Sequence, residues 1–76
     1  MTKQALKIGR REYQIIETEK KVNNFGQPQT WTELRGKRGA VVVLIETVCK
    51  YGVSAMLIHL DRMVPRETVD AGMIQR

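Results

Sequence analysis

Val41-Val42-Val43-Leu44-Ile45-Glu46-Thr47-Val48 and, beyond Tyr51-Gly52, Val53-Ser54-Ala55-Met56-Leu57-Ile58-His59 are the segments whose reading decides the fold. Six of the eight residues from 41 to 48 are β-branched. Such residues suit a pleated strand, whereas six of them in one short helix would cost roughly 2–4 kcal/mol against good helix formers. A two-residue turn at Tyr51-Gly52 would pair Lys50 with Val53 and Leu44 with His59. One face of the hairpin then collects Val41, Val43, Ile45, Thr47, Cys49, Ser54, Met56, Ile58 and Leu60. The other collects Val42, Leu44, Glu46, Val48, Lys50, Val53, Ala55, Leu57, His59 and Asp61. Every charged group from 42 to 61 falls on the second set, so the first is the expected core face.

A helical reading of the same stretch competes. Val41, Leu44, Ile45 and Val48 also stand at i, i+3, i+4, i+7, and Met56, Leu57, Leu60, Met63 and Val64 form a second stripe. Gly52 in a turn and Ser54 as an N-cap would make residues 40–64 a helix-turn-helix in an α/β protein. It leaves Val42, Val43 and Ile58 off the stripes, so strands are favoured.

Working outward, Asn23-Asn24-Phe25-Gly26-Gln27-Pro28 and Gly36-Lys37-Arg38-Gly39 are turn signals. They bound a strand from about Glu12 to Val22 and another from Gln29 to Arg35, antiparallel to each other. Pro65 to Ala71 with Gly72 behind it is expected to form a short C-terminal helix, Pro at its start and Gly at its end. The expectation is a mainly β protein: a four- to five-stranded antiparallel sheet or small barrel, one domain over residues 1–76. Thr32-Glu33-Leu34-Arg35-Gly36-Lys37-Arg38-Gly39-Ala40, with the alternating run and Met56-Leu57-Ile58 after it, resembles a pattern in uncharacterised small β proteins. The resemblance covers residues 30 to 60, turns on Gly-x-Arg-Gly-Ala between strands, and implies a fold only.

Seventy-six residues, 42% of them apolar, can build one compact core. No stretch approaches the length of a membrane-spanning helix, and the first residues lack the apolar run of a signal peptide, so a cytoplasmic location is expected. The single Cys49 excludes an internal disulfide and a multi-cysteine zinc site. Cys49 and His59, the only thiol and the only imidazole, would lie on opposite faces about 16 Å apart, too far for a nucleophile and its base. Glu17 and Glu19, beside Lys21, read as a solvated ion-pair ladder. Gly36-Lys37-Arg38-Gly39 is too short for a phosphate-binding loop of Walker type. No enzyme, metal or cofactor is expected.

The charge is polarised. Thirteen Lys and Arg face eight Asp and Glu, a net charge of +5. All of the excess lies in residues 1–38, with nine basic groups against four acidic ones; residues 39–76 hold four of each. A basic half is a footprint for a polyanion, most often nucleic acid. The expected contacts are Arg10, Arg11, Lys20, Lys21, Arg35, Lys37 and Arg38, with Trp31 either as a stacking platform for bases or as the large side chain that fills a barrel. The alternative is a protein-interaction or inhibitor module, or a homodimer, that uses a free sheet edge or the Leu57-bearing face.

Overall fold

The computed structural model describes residues 4–63 and 65–76. Lys3 of the basic half and Val64 of the helical stripe lie outside them. The chain forms one antiparallel meander, β1 (Ala5–Ile8), β2 (Arg11–Val22), β3 (Pro28–Gly36), β4 (Val41–Cys49), β5 (Gly52–His59) and β6 (Arg66–Val69), followed by a 3-10 turn (Ala71–Met73) and β7 (Ile74–Gln75). The strand order is β6-β5-β4-β3-β2-β1-β7. The last segment therefore carries the chain from one edge of the sheet to the other, and the sheet curls into a half-barrel around it.

Among the described residues of 40–64 there is no helix-turn-helix. Each residue from Val41 to Thr47 is paired with β3 on one side, and those from Val42 to Cys49 with β5 on the other, which uses the backbone groups that helices would need. The β4–β5 register differs by two residues from the expected one. Leu44 pairs with Leu57, Val42 with His59 and Cys49 with Gly52, leaving Lys50-Tyr51 as the turn. Gly52 opens β5 at φ +145, outside the range comfortable for other residues, so it belongs to the strand start rather than the turn. A slip of two keeps every side chain on its face.

Which face is the core is the reverse of the expectation. Leu34, Leu44 and Leu57 are fully buried, and Leu6, Ile8, Tyr13, Val42, Ala55 and Val69 join them on the inner face. Thr32 and His59 are buried there too. The set from Val41 to Ile58 that lacks charges faces outward and is half-covered at best. The charges mislead because Glu46, on the inner row of β4 opposite Ala55, is covered by its ion pair with Arg76, while Lys50 lies past the end of β4 in the turn. Leu57, expected on a docking surface, has no exposure.

Three strands lie outside the expectation. β1 alternates cleanly, with Leu6 and Ile8 inward and Ala5 and Lys7 outward, but spans only four residues. β7 is shorter still, at two. The expected C-terminal helix is β6, where Val69 pairs with Ala55 and is buried while Thr68 points out. A period of two and the unpaired flank of β5 prevail over the Pro and Gly punctuation. Only the 3-10 turn remains of the helix, with Asp70 Oδ1 accepting the Gly72 N–H at 2.9 Å. Among the described residues no helix is long and apolar enough to cross a membrane.

Two local features place the side chains considered next. A bulge in β2 at Ile16, between Ile15 and Glu17, reverses the alternation. Tyr13 and Ile15 point inward before it; Glu17, Glu19 and Lys21 point outward after it, opposite Glu33, Trp31 and Gln29. The other is the β1–β2 turn. Gly9 has φ +60, and its N–H donates to the Met73 carbonyl at 3.0 Å, tying the turn to the closing segment.

Candidate nucleic-acid interface

In a meander every second turn lies at the same end of the sheet. The β1–β2, β3–β4 and β5–β6 connections therefore share one end, with neighbouring turns about 10 Å apart, two strand spacings. This end receives Arg10 and Arg11 from the first turn, Arg35, Lys37 and Arg38 around the second, and Arg62 from the third. A hollow of about 430 Å³ lies between the first two, bordered by Arg10, Arg11, Lys37 and Arg38 and by one carboxylate, Glu12, with Tyr13 also in its lining. A smaller one of about 330 Å³ adjoins it at Arg35 and Lys37. Among the described residues none of Arg10, Arg35, Lys37 and Arg38 has an ion-pair partner.

Arg11 is different. Its guanidinium forks onto Glu67 of β6 with N–O distances of 2.6 and 3.2 Å. His59 adds a third contact to Glu67, Nε2 to Oε1 at 2.8 Å. An ionised carboxylate can only accept, so Nε2 carries the proton. The arginine hydrogen bond first, and the histidine second, hold the Glu67 carboxyl down at about 2, and the Arg11 guanidinium is raised in turn. Arg11 is thus engaged in closing the half-barrel, and its charge is largely neutralised. At the other end Arg76 bonds Glu46 in a second clasp between the closing segment and β4.

The remaining expected contacts do not join the cluster. Lys20 and Lys21 lie nine and ten residues along β2 from Arg11, a separation of about 30 Å at 3.3 Å per residue. Lys21 Nζ is 3.7 Å from Glu19 and 4.4 Å from the centre of the Trp31 ring. Trp31 stands on the outer face of β3 with its Nε1 donating to Gln29 Oε1 at 3.1 Å. It fills no barrel: Tyr13 and the leucines do. One face of its ring is covered by an ammonium, which leaves a cation–π pair rather than a bare stacking platform.

Arg62 is absent from the sequence-based set, because residues 39–76 balance to a neutral half. Counting turns finds it, since the fifth strand must end where the first and third do. Cys49 Sγ lies 3.7 Å from Ser54 Oγ, at the opposite end of β5 from His59. Among the described residues no three His, Cys, Asp or Glu side chains gather in a way that could hold a metal ion. Compared with known families, curated proteins and solved structures, the chain matches none.

Proposed function

We propose that this chain is a non-enzymatic nucleic-acid-binding module whose contact surface is the turn end of the sheet. The observation that carries the reading is the convergence of Arg10, Lys37 and Arg38 on one hollow, without internal ion-pair partners among the described residues. Arg35 extends the cluster along β3 and Arg62 along the edge of the sheet. Three turns at about 10 Å spacing make a row about 20 Å long, the axial length of about six base pairs at 3.4 Å each. Arginines can fork onto phosphate oxygens, and Gly36 and Gly39 keep the second turn slim enough for a backbone to approach. Such a surface contacts phosphates and supplies no base-edge reading, so binding is expected to be insensitive to sequence.

Lys20, Lys21 and Trp31, on the far half of the molecule, are left out of this surface. The test is a fluorescence-anisotropy titration with random single- and double-stranded oligonucleotides at low and at moderate salt. Binding at low salt that weakens steeply as salt rises supports the reading. No binding to either oligonucleotide at low salt overturns it.

A further inference from the structure

The concave inner face of the half-barrel is not filled along its whole length. Past the leucines, β2 and β3 set Thr18, Thr30 and Thr32 on that face. A hollow of about 440 Å³ opens there, with Leu6 and Ile15 on its apolar side and Arg76 at its edge. Thr18 and Thr32 are cross-strand partners, and Thr30 lies two residues along β3. Their side chains therefore stand roughly 5–7 Å apart on one surface.

Thr32 points to an occupant. It is 2% exposed, beside Leu44 in the register and two residues from Leu34. Yet among the described residues nothing hydrogen-bonds its hydroxyl. Valine has nearly the same shape and would fill the position with no polar atom to desolvate. No side-chain oxygen or nitrogen of the described residues is sealed from solvent without a partner, so the Thr32 hydroxyl opens onto the hollow it lines. A buried hydroxyl left unpartnered at the wall of a cavity is a group waiting for a ligand atom.

The lining sets the chemistry of that ligand. Hydroxyls give or accept hydrogen bonds, a guanidinium only gives them, and no acidic side chain lines the hollow. The head group is therefore an acceptor. Arg76 bonds Glu46 through one nitrogen, which leaves the other N–H groups of its fork unengaged among the described residues. Lys20, opposite Thr30 in the register, shares the inner face. Arg76 and Lys20 against Glu46 leave a single positive charge, which one carboxylate balances. The volume exceeds that of a bare ion and falls within the range of small-molecule sites, about 300–1,000 Å³, so the head carries an organic body. We propose that the inner hollow binds a small organic monocarboxylate, its carboxylate on Thr32 and Arg76 and its apolar body against Leu6 and Ile15. The hollow is separate from the basic turn end, and its test contains no nucleic acid.

Hexanoate is the probe, followed by amide NMR on the full chain, with hexanamide and hexylammonium as its neutral and cationic counterparts. Hexanoate should shift the amides of Leu6, Thr18, Thr30 and Thr32 saturably, with Kd below about 1 mM. Both counterparts should bind at least about tenfold more weakly, since charge-assisted bonds hold the head group. Thr32→Val, which keeps the shape, and Arg76→Gln should each raise Kd at least about fivefold while circular dichroism reports an unchanged fold. No saturable shift up to about 10 mM overturns the proposal. So do equal affinities for hexanoate and hexanamide, an affinity that ignores both substitutions, or shifts confined to the arginines of the turn end.

Discussion

Arg11 and Glu67, 56 residues apart in the chain, form a forked ion pair that joins the start of β2 to β6 across the mouth of the half-barrel. Behind them His59 is 4% exposed and holds the same carboxylate. These three side chains fasten the edge of the sheet that hydrogen bonding leaves open.

Removing the carboxylate should release that edge. Glu67 is about one-third exposed, so solvent screening limits the pair to about 1–2 kcal/mol despite the forked geometry. Glu67→Gln is expected to reduce the unfolding free energy measured in urea by that amount at pH 7. The pH dependence has a definite sign. The carboxyl sits at about 2 when folded against an ordinary 4.5. Its contribution is therefore complete above about pH 4.5 and declines as the pH falls toward 2. The gap in stability between the native chain and Glu67→Gln should narrow over that window. A gap that is constant from about pH 6 to about pH 2.5 would show that the ionised pair is not what closes the mouth.

Position 9 in the β1–β2 turn should not accept a side chain. At Gly9 φ is +60, and an added Cβ would meet Met73 Cε at 2.8 Å. Gly9→Ala should cost about 1–2 kcal/mol, a fall in Tm of roughly 5–15 °C for a domain this size. Gly36 makes the contrast: a Cβ there would find only ordinary contacts at 3.7 Å with Ala40 and Tyr13. Gly36→Ala should shift Tm by no more than about 3 °C, corresponding to about 0.5 kcal/mol. Equal effects at the two glycines, read by differential scanning calorimetry, would contradict the turn geometry.

The assignment of the faces can be checked by truncating one residue on each. Leu57 is fully buried on the inner face, and Leu57→Ala should cost about 2–5 kcal/mol, enough to unfold much of so small a domain. Met56, its neighbour on the outer face, is half-covered. Met56→Ala should cost less than about 1.5 kcal/mol. Chemical denaturation of both variants would expose an inverted assignment at once.

Much of this architecture is legible in the chain. The β-branched run from Val41, the amide-rich loop before Pro28 and the glycines around Lys37-Arg38 are sufficient for a meander of hairpins with β2, β3, β4 and β5 in place. The core face is inverted in that reading because both faces of β4 and β5 are apolar. Charge then decides, and it decides wrongly because Glu46 is satisfied by Arg76, far away in the chain, and Lys50 belongs to a turn. β6 is hidden because Pro65 and Gly72 punctuate a strand as readily as a helix. The long-range consequence of the meander is legible in principle. Alternate turns share an end, which groups Arg10 with Lys37, Arg38 and Arg62 and sends Lys20 and Lys21 away. The ion pair of Arg11 with Glu67 is not, since nothing local marks two residues 56 positions apart as partners.

The salt dependence of nucleic-acid binding tests the central claim most directly. On duplex DNA the slope of log K against log salt becomes shallower by about 0.9 for each phosphate that the protein no longer neutralises. Arg10→Ala, Lys37→Ala and Arg38→Ala combined should flatten the slope by about 2–3, whereas Lys20→Ala with Lys21→Ala should leave it within about 0.5 of the native chain. An unchanged slope in the first variant, with the flattening in the second instead, would contradict the assignment of the binding surface to the turn end.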